Sequence, residues 1–337
     1  MLQNADKIRE VTGVDARALP DDVLSSTEPL VLRGLVAHWP VVEAARESGP
    51  AAIRYLSGFY RDATVGVMLG EPEIEGRFFY NEDLSGFNFK SLRLRLDAVL
   101  EDIARHASSA HPPSIYVGST TIESALPGFR EHNDIDLGAR KALASIWLGN
   151  RSRISAHHDL PDNLACVAVG RRRFTLFPPA QLANLYVGPL DLTPAGQAIS
   201  LVDFAKPDYA SFPRFAEAAK AARVAELGPG DAIFIPSMWW HHIESLETFN
   251  VLVNYWWRQS PAYMDAPIGA LMLSIMTMRE LPAAQRAAWQ NLFRHYVFEA
   301  DGDTAAHIPE ASRGSLGPLD DGTVREMRAR LLARLNR

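Results

Sequence analysis

The 337-residue sequence contains a single cysteine, Cys166, and this scarcity excludes two kinds of site. One thiol cannot form an intrachain disulfide, and it cannot supply a cysteine-only metal cluster. The charge balance also lacks a basic excess, because 40 Asp and Glu against 34 Lys and Arg give a net charge of −6. General nucleic-acid-binding proteins carry a basic surface, so we expect no nucleic acid partner. Ten histidines remain as candidate metal ligands or bases.

Long apolar runs are scarce as well. The longest, over residues 267–278, is far short of the roughly 20 residues that span a bilayer. The first ten residues are polar and of mixed charge, unlike a signal peptide. We therefore expect a cytoplasmic protein with no membrane partner. Phosphate-binding loops of the G-x-x-x-x-G-K-[ST] type and G-x-S-x-G nucleophile elbows are missing too, which disfavours nucleotide and hydrolase chemistry.

Three regions differ in their hydrophobic patterns. Residues 1–110 mix short β-like runs with amphipathic segments, and leucine spacing predicts a helix over 91–106. Residues 111–260 are rich in strands, and residues 261–337 carry helical apolar stripes. Because helices do not alternate with the strands, we expect a mainly β fold with flanking helices. The central strands are predicted at residues 114–121, 144–148, 164–169, 174–177, 232–235 and 250–257.

His157 and Asp159 form the first candidate site. Side chains two positions apart on a strand point to the same side, so these two can bind one metal while His158 points away. Two histidines and one carboxylate on one face, with positions left open, suit non-haem Fe(II). The spacing alone is weak support, because His-x-Asp occurs often by chance.

A second histidine cluster follows in residues 228–242. A glycine-rich turn, an apolar strand and two tryptophans precede His241 and His242 and deliver them to a strand end. Two histidine clusters at strand ends are hard to explain as ordinary packing, although that alternative stays open. Strand alternation cannot decide between His241 and His242.

Four segments carry a family resemblance: residues 156–159, 174–179, 202–209 and 228–246. On these the sequence resembles the cupin-type, JmjC-like Fe(II)- and 2-oxoglutarate-dependent oxygenases, most of all their asparaginyl hydroxylase branch, for which residues 239–245 are specific. The resemblance implies a double-stranded β-helix, or jelly roll, plus a C-terminal helical region. It implies an N-terminal extension over 1–110, a core over 111–260, and helices over 261–337 that form a homodimer.

The same resemblance implies the metal and cosubstrate ligands. His157, Asp159 and His241 match the Fe(II) ligands of the family, which leaves His158 and His242 as non-ligating neighbours. The 2-oxoglutarate-binding positions are matched by Tyr116, Asn163, Arg172 and Asn254. Arg172 stands where the family commonly has a lysine for the far carboxylate, and an arginine can pair with a carboxylate through two hydrogen bonds.

Ile154 departs from the family pattern, because close relatives place a threonine hydroxyl there on the far carboxylate. Ser155 or Ser152 could compensate for that missing hydroxyl.

The implied reaction is hydroxylation of a C–H bond with release of succinate and CO₂. Its substrate is expected to be a protein or peptide side chain, with a small molecule as an alternative. Two other functions stay open, a cupin metalloenzyme that does not use 2-oxoglutarate and a catalytically weak binding or scaffold protein.

Overall fold

The computed structural model describes residues 5–336, which divide into two compact units. The first unit ends at Gln259 and the second begins at Ser260. The first unit is built on two sheets, whose strands we number in chain order. The smaller sheet has six strands, in the spatial order β1 (Asp6–Lys7), β12 (Arg223–Leu227), β11 (Arg172–Phe177), β14 (Trp240–Ser245), β9 (Ser152–His157) and β5 (Arg77–Phe78).

The larger sheet has nine strands and supplies the other wall of the fold. Their spatial order is β2 (Arg9–Thr12), β3 (Leu30–Arg33), β13 (Ala232–Ile235), β10 (Asp162–Val169), β15 (Asn250–Trp257), β8 (Leu143–Gly149), β7 (Ser114–Thr121), β4 (Thr64–Gly70) and β6 (Lys90–Arg95). Among the described strand pairs only β1·β12, β2·β3 and β5·β9 are parallel. The fold is thus the mainly β jelly roll that the strand pattern and the family resemblance predicted.

Side chains that alternate along β10 contribute to two different hydrophobic clusters. Val167 and Ala165 lie in an apolar cluster between the two sheets, together with Phe174 of β11. Leu164 and Cys166 point to the opposite side and join a larger cluster beneath the helices. Because side chains alternate along a strand, one fully buried strand contributes to both clusters. The helices of this unit are α1 (Asp21–Leu24), α2 (Pro40–Glu47), α3 (Gly49–Ser57), α4 (Leu96–His106), α5 (Ile122–Ala125) and α6 (Phe215–Lys220).

Helix α4 begins later than the leucine spacing predicts. Leu96, Val99 and Ile103 are buried as expected, so the apolar stripe of the helix itself is confirmed. Residues 91–95, however, belong to β6, which pairs with β4 at the edge of the larger sheet. Leu92, assigned to the helix from its spacing, is instead 41% exposed on that edge strand. The prediction was wrong there because a nonlocal strand pairing overrides local helical periodicity.

Gly170 makes the tight turn that joins β10 to β11. Its φ of +75° lies in the left-handed region that favours glycine. A Cβ at this position would lie 2.4 Å from Oδ1 of Asn250, so a side chain would not fit. The chain passes at this turn from β10 in the larger sheet to β11 in the smaller one, and side chains of both strands pack in the cluster between the sheets.

The second unit is helical, as predicted; two apolar stripes in the sequence match helices of this unit, which contains three helices in all. These are α7 (Ile268–Met278), α8 (Ala283–Phe293), which continues into a π-helical turn (Arg294–Phe298), and α9 (Asp321–Leu335). Asp320 caps α9 by accepting a hydrogen bond from the backbone N–H of Thr323. None of the three helices has a buried residue in the single chain. Within residues 5–336, no helix has the length and apolarity needed to cross a membrane. The predicted division near residue 110 stays a prediction.

Candidate metal centre

Three side chains with metal-binding atoms converge where β9 ends and β14 begins. His157 and His241 face each other as cross-strand partners, and their ring centroids are 4.4 Å apart. Asp159 follows two residues beyond His157, just past the end of the strand. Its Oδ2 lies 3.6 Å from Nε2 of His241. One ligand atom from each of the three residues lies within 4.8 Å of the others, close enough to hold one ion.

Hydrogen bonds fix which nitrogen of each histidine is available. Nδ1 of His157 lies 2.9 Å from the carbonyl oxygen of Ser155, and Nδ1 of His241 lies 3.0 Å from that of Trp239. A carbonyl oxygen only accepts, so each Nδ1 carries the proton and each Nε2 keeps a free lone pair. Burial, reinforced by the neighbouring His157, lowers the pKa of His241 and so favours the neutral ring. Both features are typical of metal-ligating histidines.

The adjacent histidines point elsewhere. The His158 ring packs edge-on against Trp240, with centroids 4.6 Å apart. The His242 ring packs against Phe204 at 4.8 Å. Both contacts are with aromatic side chains outside the cluster of ligand atoms, so the tertiary structure separates His241 from His242 where strand alternation could not.

The three ligand atoms open into a cavity of about 280 Å³ between the two sheets. Asp159 is the one carboxylate and Arg172 the one arginine or lysine among the described residues that line it. The remaining wall is largely apolar and includes Met68, Phe78, Trp147, Ile199, Ile243 and Leu252. Two nitrogens and one carboxylate at the end of an enclosed cavity form a donor set that fits Fe(II). An apolar wall of this kind also limits the access of water to the metal.

Arg172 is a buried charge without a partner. Its side chain on β11 lines the cavity, the residue is 2% exposed, and its Nε has no hydrogen-bond partner in the described part of the chain. Burial lowers the pKa of the guanidinium to about 10, which leaves it protonated at neutral pH. A buried unpaired cation is costly, and a bound carboxylate would offset that cost.

Tyr116 lies on β7 beside this charge. It is 7% exposed and packs between Phe78 and Trp147, with ring centroids 5.6 Å and 6.2 Å away. Burial raises the pKa of the Tyr116 phenol, and the nearby Arg172 charge opposes that rise. The phenol is therefore a neutral hydrogen-bond donor in the same cavity as the guanidinium.

Asn163 and Asn254 lie on the neighbouring strands β10 and β15, and both line the cavity. Nδ2 of Asn254 donates to Oδ1 of Asn163 over 3.1 Å. Nε1 of Trp147, on β8, donates in turn to Oδ1 of Asn254 over 2.7 Å. The sequence did not indicate Trp147, because its position in a strand is that of an ordinary core tryptophan.

Ile154 lies in the cavity wall, where it adds an apolar surface and no hydrogen-bond donor. Of the two serines that could compensate, Ser155 also lines the cavity. The hydroxyl of Ser152 instead donates to Oγ of Ser245 over 3.1 Å, so it is engaged within the smaller sheet.

Comparison with known proteins places this geometry in a family. Residues 16–263, most of the chain, match the family model described as a cupin-like domain. Over 240 residues the chain is 26% identical to lysine-specific demethylase 8 of Xenopus tropicalis, covering 70% of this chain and 49% of that protein. It is 34% identical over 134 residues to lysine-specific demethylase JMJ31 of Arabidopsis thaliana, with 37% and 24% coverage.

A third relative has a different name. The chain is 34% identical over 106 residues to tRNA wybutosine-synthesizing protein 5 of Gallus gallus, covering 32% of this chain and 30% of that protein. The chain thus spans half or less of the length of these relatives. The particular likeness to asparaginyl hydroxylases stays a prediction. With the family match extending over most of its length, the chain belongs to the cupin-like domain family, among relatives of the JmjC type.

Proposed function

We propose that the protein is an Fe(II)- and 2-oxoglutarate-dependent oxygenase that hydroxylates a C–H bond and releases succinate and CO₂. The observation that carries the proposal is the presence, in one cavity, of a His-Asp-His ligand set and an unpaired buried arginine. A metal-binding set alone fits many cupin enzymes. The additional buried cation requires an anion, and 2-oxoglutarate offers a carboxylate at the end opposite its metal-chelating group.

In this proposal His157, Asp159 and His241 hold Fe(II). The bound iron together with 2-oxoglutarate supplies the oxidising chemistry, as cofactors do in general. The backbone carbonyls of Ser155 and Trp239 hold the two imidazoles in the tautomer that leaves each Nε2 free. The protein thus contributes orientation of the ligands before any metal arrives.

Arg172 and Tyr116 bind and orient the far carboxylate in the same proposal. A guanidinium can donate two parallel hydrogen bonds to a carboxylate, and a neutral phenol can donate a third. Ile154 cannot donate, so the arginine in place of a lysine carries more of the recognition. The apolar wall around these groups excludes water and strengthens each of these electrostatic contacts.

The two alternatives are less well supported by the same residues. A cupin metalloenzyme without 2-oxoglutarate would leave the Arg172 guanidinium buried and unpaired. A scaffold protein would have no use for two histidines whose Nε2 atoms are free beside a carboxylate.

For the substrate we propose a protein or peptide side chain, with a small molecule as the alternative. Two of the relatives are named as lysine-specific demethylases, which act on a protein side chain. The name of the third concerns tRNA, but a net charge of −6 disfavours a polyanionic partner here.

We also propose a homodimer formed through the C-terminal helices. Apolar side chains of the second unit remain exposed in the single chain, among them Trp289 at 44%, Leu331 at 45% and Phe298 at 78%. Exposed apolar surface on this scale is typical of an interface between protein chains.

Conversion of 2-oxoglutarate to succinate tests the proposed reaction. With Fe(II), oxygen and ascorbate, we expect succinate to form slowly in the wild-type protein even without a substrate, and its formation to be measurable by proton NMR. The Asp159→Ala variant should form none because it lacks a metal ligand, whereas the control His158→Phe should retain the wild-type rate. Absence of succinate from the wild-type protein, or equal rates in the wild type and Asp159→Ala, would contradict the proposal.

A further inference from the structure

A chain of hydrogen bonds crosses three adjacent strands along the wall of the cavity. Trp147 on β8, Asn254 on β15 and Asn163 on β10 all line the cavity, so the three side chains share one face of the larger sheet. Leu252 is the direct partner of Trp147, and Trp256 is the direct partner of Asn163. Asn254 is therefore the diagonal neighbour of both, which places its amide between the indole and the second amide.

The indole fixes the direction of this chain. An indole N–H can only donate, so the atom of Asn254 that faces it must be the oxygen. The nitrogen of Asn254 then faces Asn163, whose oxygen must accept. The donors and acceptors of the three side chains therefore fix the orientation of both amides.

The last amide nitrogen remains available for a ligand. Within residues 5–336 the Asn163 nitrogen donates to no protein acceptor, although the residue is only 6% exposed and lines the cavity. A donor held in this way suits an oxygen atom of an anion. If the hydrogen bonds ran in the reverse direction, the Asn163 oxygen would face that anion and repel it.

We propose that Trp147 is a positioning residue for the cosubstrate. Its N–H orients the Asn254 amide, which orients the Asn163 amide, so that Asn163 donates a hydrogen bond to an oxygen of the 2-oxo acid. This inference rests on the proposed function, and it assigns a role to a side chain that is not itself a metal ligand or a cosubstrate ligand.

Calorimetric titration of the Zn(II)-loaded protein with 2-oxoglutarate tests the inference without any turnover. Trp147→Phe keeps an aromatic ring and removes the N–H, and we expect it to weaken 2-oxoglutarate binding roughly 3- to 10-fold, as loss of one hydrogen bond does. Zn(II) affinity should stay within about twofold. Trp257→Phe is the matched control, because it makes the same change in the same sheet, but Trp257 does not line the cavity and its Nε1 has no hydrogen-bond partner within residues 5–336.

A double-mutant cycle separates positioning from simple packing. If Trp147 acts through Asn163, then Trp147→Phe should change 2-oxoglutarate affinity less than about twofold in an Asn163→Ala background. A full additional loss in that background would overturn the inference. Equal losses in Trp147→Phe and the control Trp257→Phe would also overturn it.

A measurement on the folded wild-type sequence covers the case in which Trp147→Phe fails to fold. In the Zn(II)-loaded protein labelled with ¹⁵N-tryptophan, the Trp147 indole resonance should shift when 2-oxoglutarate is added. The shift should be lost in Asn163→Ala, and its persistence there would overturn the inference. Failure of the wild-type protein to bind 2-oxoglutarate at all would instead refute the proposed function, and the inference with it.

Discussion

Replacing Arg172 by methionine should stabilise the ligand-free protein and at the same time abolish its response to 2-oxoglutarate. The guanidinium is buried in the cavity wall, and burial lowers its pKa from the ordinary arginine value to about 10. At about 1.4 kcal/mol for each pKa unit, this corresponds to about 3 kcal/mol against the charged form. Methionine has a similar length and no charge to bury. We therefore expect the free energy of unfolding to rise by about 1–3 kcal/mol.

Urea denaturation of metal-free protein at pH 7.5, followed by tryptophan fluorescence, measures this change. Six of the seven tryptophans lie in the unit that ends at Gln259, so the signal reports mainly on the unit that contains the cavity. Arg173→Met is the matched control. Its side chain is 41% exposed and pairs with Glu226 at 2.6 Å, so its loss should change the free energy of unfolding by less than about 1 kcal/mol.

Adding the cosubstrate should stabilise the wild-type protein but not Arg172→Met. With metal present and 2-oxoglutarate at about 100 times its dissociation constant, the wild-type protein should gain about 2.7 kcal/mol, because the ligand binds only the folded state. Arg172→Met should gain nothing measurable at the same concentration. Destabilisation of ligand-free Arg172→Met by more than about 1 kcal/mol would refute the reasoning that the charge is unpaired. A wild-type gain in Arg172→Met would refute its role as carboxylate partner.

Three further predictions concern the metal, the thiol and the oligomer. Asp159→Ala and His241→Ala should each weaken Fe(II) binding at least about 10-fold in equilibrium dialysis, since each removes a ligand; unchanged affinity would exclude the residue as a ligand. Burial raises the pKa of the Cys166 thiol, so native protein at pH 8 should not react with a disulfide reagent, whereas one thiol per chain should react in guanidinium; rapid native reaction would contradict its burial. Light scattering should find a wild-type dimer, and the double variant Leu331→Arg, Leu335→Arg should be a monomer. A monomeric wild-type protein would contradict the dimer proposal.

The strand positions were predictable where polar and turn residues bound an apolar run. The strand Ala232–Ile235 lies between Asp231 and Pro236, and the strand Ser114–Thr121 begins directly after Pro113. Residues 91–95 were misassigned because their partner strand is distant in the sequence. The local spacing of leucines does not show whether a segment will pair with a distant strand at the edge of a sheet.

The candidate site was partly predictable for a similar reason. The alternation of side chains along a strand predicts that His157 and Asp159 point to the same side. The preference for His241 over His242 instead depends on which side chains of β14 point into the cavity. The run of three arginines did not predict the burial of Arg172. In the structure Arg171 is exposed, Arg173 is half-buried and only the middle arginine is buried. The hydrogen bonds of Trp147 depend on the register of three strands, which the sequence does not specify.

Anaerobic titration of the Fe(II)-loaded protein with 2-oxoglutarate tests the central claim most directly. Chelation of Fe(II) by the 2-oxo acid gives a visible charge-transfer absorption band, so no substrate is needed. We expect the band in the wild-type protein, saturating at one 2-oxoglutarate per chain, and its loss in His157→Ala and Asp159→Ala. Tight Fe(II) binding by the wild-type protein with no band at any 2-oxoglutarate concentration would contradict the account.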